Sequence, residues 1–183
     1  MIKLDDICDL ITDGTHNSPK YTQMGVPMLD AVDIENFMIN DSNPKKYISK
    51  ETDKELAKRC KPKAGDVLVS SRGSIGKLAL VGVGQDFNIM GNIILLRPSN
   101  RILPKYLLNI LHASVSNIAD LSHGVAQKGL YLGKVREFKI PLPSLKIQKQ
   151  MVEEMEKEEE IIASNRKLIE VMEKKISAVL SEV

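Results

Sequence analysis

The last forty residues of the chain, 144–183, contain neither glycine nor proline and follow the break Pro141-Leu142-Pro143. Apolar side chains recur there at alternating steps of four and three: Met151, Met155, Ile162, Ile169, Met172, Ile176, Val179 and Val183, with Glu158 and Asn165 as polar members of the series. A sustained period of about 3.5 residues marks a long helix that pairs along a narrow seam. At a rise of about 1.5 Å per residue the helix is roughly 50–60 Å long. That is too long to lie wholly on a domain formed by the preceding 143 residues, so much of its face needs a partner. A short amphipathic helix would simply cover its own domain; the length of this one favours pairing. Asn165 inside the seam is satisfied only by a matched partner and so fixes register. The run Glu158-Glu159-Glu160 reads as a solvated face, with Glu158 a local weak spot near the seam.

Residues 1–143 carry short apolar runs instead. Met1 to Ile11 suits a helix or a strand, and Asp13 to Pro19 is a polar loop opened by a glycine turn. Val26–Leu29 and Ala31–Ile34 read as short strands, followed by a polar loop from Asn40 to Pro44. Ser49 or Thr52 caps a short helix that stops before Pro62. Val67–Ser70, Ile75–Val81 and Asn92–Arg97 read as strands separated by glycine-bearing turns, which points to a mainly antiparallel sheet or barrel-like core. Leu103, Tyr106, Leu107, Ile110 and Leu111 then fall at helical spacing, with a further helical stretch from Ser114 through Leu121. A polar loop, Ser122–Gly129, precedes the alternating segment Val135–Ile140, read as a last strand. The fold class expected is α+β: a compact domain, residues 1–143, followed by a long coiled-coil-type helix, residues 144–183.

The chain is 43% hydrophobic and 27% charged with a formal net charge of +2, a composition suited to a soluble protein. No apolar run approaches the roughly 18 residues of a membrane span, and Met1-Ile2-Lys3-Leu4 does not open a signal peptide. A cytoplasmic location is expected. Cys8 and Cys60 lie far apart, and neither they nor His16, His112 and His123 show metal-ligand spacing. Buried thiols are expected, and no cofactor. The helix carries seven Lys and Arg against nine Asp and Glu, whereas residues 1–143 carry nineteen against fifteen. This basic surplus permits nucleic-acid binding without demanding it. With no Trp and 4% aromatics, a base-stacking platform for single strands is disfavoured.

Catalytic signatures fail on inspection. Gly73-Ser74-Ile75-Gly76-Lys77 has two residues between its glycines where a phosphate loop has four, and Leu78 follows the lysine. Gly82-Val83-Gly84 lacks the third glycine of a dinucleotide site. No Gly-x-Ser-x-Gly or His-Glu-x-x-His occurs, and no acid/base carboxylate pair stands out. The polar loops hold what DNA contact requires: Arg for guanine, Asn or Gln for adenine, and Lys, Ser and Thr for phosphates. Solvent-exposed connections have the same composition, so two other readings stay open, a DNA-modifying enzyme fragment and a coiled-coil adaptor that never touches DNA.

Several segments together resemble one family. They are Lys3-Leu4-x-x-Ile7-Cys8, Asp13-Gly14-Thr15-His16-x-x-Pro19-x-Tyr21, Gly25–Leu29, Gly65–Ser70, Gly73–Lys77, Gly124–Leu130 and Ile140–Pro143, with Gln148 and the long helix behind them. In order and spacing they are similar to the specificity (S) subunit of type I restriction-modification systems. The resemblance implies target-recognition domains that each read one half of a split DNA site. It implies antiparallel helices that space those domains and dock methyltransferase (M) subunits, joined by restriction (R) subunits, with no chemistry in the S subunit itself. This chain departs in having one recognition domain and one helix, so that it resembles a half-subunit or an excised half, and in Ile147 where the family often has Glu. A single helix implies self-association as an antiparallel homodimer on a palindromic split site. The DNA contacts expected are Thr15, His16, Lys20, Ser71, Arg72, Ser74, Lys77, Gln127, Lys128 and Tyr131, with Arg72 and Gln127 reading bases. The pairing helix is expected to use Met151, Met155, Ile162, Asn165, Ile169, Met172, Ile176 and Val179.

Overall fold

In the computed structural model, residues 36, 42–43, 115–128 and 182–183 are outside the described set, as are the side chains of 178 and 179. The centre is a four-stranded antiparallel sheet in the order β2 (Cys8–Asp13), β11 (Ile93–Pro98), β8 (Val67–Ser70), β9 (Leu78–Leu80). β8 and β11 read as continuous apolar runs because both faces of this sheet are covered. Val67, Val69, Ile94 and Leu96 face one core with Leu4, Ile7, Tyr106, Leu107 and Leu111. Leu68, Ile93 and Leu95 face the other, with Leu29, Ile34, Phe87 and Ile89. Asp66 and Arg97 brace the pair: the guanidinium donates to both carboxylate oxygens at 2.8 and 2.7 Å.

A second sheet runs β10 (Asn88–Ile89), β4 (Val26–Leu29), β7 (Tyr47–Ile48), β3 (Tyr21–Thr22) and contains a parallel pair, β10 with β4. Two small pairs complete the strands, β1 (Ile2–Lys3) with β12 (Lys139–Ile140) and β5 (Ile34–Glu35) with β6 (Met38–Ile39). The fold class is α+β, as expected, with mainly antiparallel sheets. No helix among the described residues is long and apolar enough to cross a membrane.

α1 (Lys50–Ala57) starts at Ser49, whose Oγ accepts from the Thr52 N–H at 3.1 Å, so Ser49 rather than Thr52 is the cap. α2 (Pro104–Ala113) has proline at its first turn and ends at Ser114. The helical stretch expected beyond Ser114 lies outside the described residues, as does most of the loop Ser122–Gly129.

Three expected strands change. Ala31–Asp33 forms a 3-10 turn because Asp30 and Asp33 cap each other's backbone N–H groups reciprocally. Ile75–Val81 shortens to β9, since residues 70–77 form a turn closed by the Ser70 hydroxyl, which accepts from the Lys77 N–H at 2.8 Å. Gly73 and Gly76 supply the positive φ values of that turn, 72° and 87°. Val135–Ile140 begins inside a helix, α3 (Leu132–Glu137), and only Lys139–Ile140 is strand. Leu132 and Val135, three residues apart, both reach the core, and that pair outweighs the short alternation.

α4 (Leu145–Ser181) is the long helix. Its first turns lie against α2 and the core. Gln148, Val152, Met155 and Glu156 fall on one face at i, i+4, i+7 and i+8 and are the buried or half-buried positions among the described side chains of the helix. Met155, assigned to the pairing seam, is half-buried against its own globule, where Asn109 Nδ2 donates to its Sδ at 3.3 Å. Lys105 adds an ion pair to Glu156 at 2.6 Å. From Lys157 onward every described side chain is exposed. Ile161, Ile162, Leu168, Ile169, Val171, Met172, Ile176 and Leu180 lie between 48% and 70% exposed.

Candidate nucleic-acid interface

Two adjoining cavities, of about 370 and about 310 Å³, open beside the end of β2 and share His16, Arg72 and Gly91. Three loops build them. The first leaves β2 at Asp13. A parallel bridge between Thr15 and Met90 ties it to the second loop, Met90–Asn92, with the Gly91 N–H donating to the Thr15 carbonyl at 2.7 Å. The third is the turn after β8, where the Ser71 N–H donates to the Asn92 carbonyl and the Ser71 carbonyl accepts from the Leu130 N–H, both at 2.8 Å. These backbone bonds hold Thr15, Ser71, Arg72 and Tyr131 around one opening, although they lie up to 116 residues apart in sequence (131 − 15).

His16 sits at the junction. Its Nε2 lies 2.7 Å from Asp13 Oδ2, and the other Asp13 oxygen accepts from the Arg59 guanidinium. The ring packs over Gly91, where an added Cβ would stand 2.5 Å from His16 Nδ1, so any larger residue at 91 displaces the imidazole. Arg72 is exposed at the rim, and no ion pair holds it among the described residues. Other cations are already committed: Arg97 to Asp66, Lys61 to Asp53 and Asp86, Arg136 to Asp5. An uncommitted guanidinium at a cavity mouth is suited to an acceptor pair on a phosphate or a guanine edge.

The expected contacts divide by position. Thr15, His16, Ser71, Arg72 and Tyr131 line the joined cavities. Lys20 and Ser74 are exposed outside them. Lys77 lines a separate cavity of about 480 Å³ with Glu35, Phe37, Ile75 and His112. Gln127 and Lys128 lie outside the described residues.

Sequence reasoning missed Asp13, Arg59 and Asn92. Asp13 stood in a quoted motif and its spacing to His16 was a usable signal. Arg59 gave none, lying 46 residues from its partner. Asn92 lines the cavity, and its Oδ1 is buried without a hydrogen-bond partner among the described residues. Cys60 is buried, as expected of both thiols, whereas Cys8 is half-buried; burial pushes Cys8 up to about 12 and Cys60 up to about 11.

With this geometry in place, comparison with known proteins is direct. Residues 1–174 match the family described as type I restriction modification DNA specificity domain. The chain belongs to this family. Among curated specificity-domain proteins it is 31% identical over 180 residues to the putative type I restriction enzyme MjaX specificity subunit of Methanocaldococcus jannaschii. It is 30% identical over 135 residues to the type I restriction enzyme EcoBI specificity subunit of Escherichia coli. Those matches cover 94% and 72% of this chain but 42% and 28% of the relatives, so the chain spans less than half their length. In fold it is similar to the HsdS subunit from Thermoanaerobacter tengcongensis, with a TM-score of 0.69 at 20% identity over 89% of this chain and 37% of that one. A chain from a solved type I R-M system gives a TM-score of 0.72 at 22% identity, covering 89% of this chain and 38% of that chain.

Proposed function

We propose that residues 1–143 are a target-recognition domain that reads one half of a split double-stranded DNA site, and that residues 144–183 are the helix that spaces and pairs such domains. In this reading the chain acts in the cytoplasm and performs no chemistry. It self-associates through α4 as an antiparallel homodimer and directs methyltransferase subunits, and through them restriction subunits, to the site. The observation that carries the DNA reading is the joined opening around His16 and Arg72, built from three separate loops and rimmed by an uncommitted guanidinium. Family membership supports it. The exposed apolar row of α4 supports the pairing, because contiguous apolar surface of this kind marks an association site.

Arg72 reads a base edge, His16 and Thr15 position the backbone, and Ser71 and Tyr131 close the opening. Binding of duplex DNA by the chain with its methyltransferase subunit is expected to weaken steeply with salt. Arg72→Ala is expected to cost about 1–3 kcal/mol and to relax preference at a single base position. A uniform loss across sequences would make Arg72 a phosphate contact instead, and salt-independent or absent binding would remove the DNA reading.

A further inference from the structure

The joint between the globule and α4 is tied by polar groups in a way its sequence does not announce. Pro141 and Pro143 have no N–H of their own to fix them, yet both carbonyls are held. The Tyr106 hydroxyl donates to the Pro141 carbonyl at 3.1 Å, and Gln148 Nε2 donates to the Pro143 carbonyl at 2.9 Å. The same amide group donates to the Arg101 carbonyl at 3.1 Å, while Gln148 Oε1 accepts from the Leu103 N–H at 2.9 Å. One side chain on the first turn of α4 therefore grips the end of the proline break and the segment that starts α2. Gln148 is 0% exposed, the most completely buried polar side chain on the long helix.

A primary amide that is fully enclosed and bonded in three directions is satisfied in one orientation of the two bodies only, since rotating the helix breaks several bonds at once. Apolar contacts at the joint, such as Val152 on the core, tolerate sliding. From Lys157 onward every described side chain of the helix is exposed, so the angle the joint sets is carried to the tip. A small change at the root becomes a displacement of several ångströms at a lever of roughly 40 Å.

We infer that Gln148 is a positioning residue that sets the angle between the globule and α4, and through it the number of base pairs between two half-sites. The second part rests on the DNA reading proposed above; the first stands without it.

The test uses the full chain carrying nitroxide labels at V83C and K174C, both fully solvent-facing positions, diluted into unlabelled protein so that distances within one chain are read. Cys8→Ser and Cys60→Ala replace the two native thiols, so that only the introduced cysteines carry label. The native chain should give one narrow distance distribution. Gln148→Met keeps the length and packing of the side chain and removes its hydrogen bonds. With the amide spectrum of β8 and β11 unchanged, it should widen the distribution at least twofold. Gln148→Ala should do the same. Equal widths in native chain and variants would overturn the clamp. The second arm selects from a randomised duplex library with the chain and its methyltransferase subunit. Gln148→Met should keep the native half-site bases and accept neighbouring spacer lengths as well. A variant that keeps a single spacer length would overturn the step from angle to spacing. If the native chain enriched no sequence, the DNA reading and the spacing claim would fall together, while the distance distribution would still decide the clamp.

Discussion

The root of α4 and its projecting part each carry a periodic face, meeting at Met155, and differ in what lies against it. At the root the stripe Gln148, Val152, Met155 and Glu156 follows a 3.6-residue period and closes on α2 and the core. Past Lys157 the 3.5-residue series runs through Ile162, Asn165, Ile169, Met172 and Ile176, each of them exposed. Periodicity thus reports that a face is destined for burial, and the globule's reach decides what buries it. The bland reading, a helix covering its own domain, is right for about three turns. It fails where the domain ends.

The difference makes opposite demands on substitutions. Ile162→Asp combined with Ile169→Asp should have the largest effect. On the proposed pairing it puts charge into a desolvated seam, costing more than about 3 kcal/mol of association. The folding free energy of the globule should stay within about 0.5 kcal/mol of native, because both side chains are exposed beyond the root of the helix. Sedimentation and a urea melt check the two halves, and loss of folding stability would erase the distinction between root and tip. Gln148→Ala should do the reverse. Leaving the Leu103 N–H and two carbonyls without partners should cost about 2–3 kcal/mol of folding stability, read as a lower urea midpoint, while the assembly mass persists.

Asn165→Leu sharpens the comparison within the projecting part. Near the middle of the helix, Asn165 lies where it can face its own mate across a two-fold axis. Its replacement should raise dimer stability and admit a second register, visible as added species in disulfide trapping along the seam. A dimer lost on this substitution would show that the seam is built differently. Lys105→Gln should have the smallest effect: its ion pair with Glu156 is partly exposed, at 37% and 45% of the side chains, and such pairs are worth under about 1 kcal/mol. A larger loss would mean that the root is held by charge rather than by Gln148 and apolar contact.

How legible each part was in the sequence follows from the range of the interactions that decide it. β8 and β11 were legible because their apolar runs are unbroken, and α2 because Leu103, Tyr106, Leu107, Ile110 and Leu111 repeat over about two turns. Val135–Ile140 misled, since Phe138-Lys139-Ile140 alternates as a strand does while the Leu132–Val135 pair that makes α3 begins before it. At the candidate interface, Thr15, His16, Ser71, Arg72 and Tyr131 line one joined opening. Their common opening depends on the Met90–Asn92 loop and on Asp13 gripping Arg59, contacts that no local pattern encodes. Gln148 stood in the motif, but a glutamine on the first turn of a helix reads as solvated until the loop and α2 are seen closing over it.

The claim that organises this account is that the projecting part of α4 pairs with a second copy of itself. Light scattering of the full chain at micromolar concentration tests it most directly. The account predicts twice the 20.4 kDa chain mass, falling to the single-chain value in the Ile162→Asp, Ile169→Asp variant. A native chain that scatters as a monomer at that concentration would contradict it.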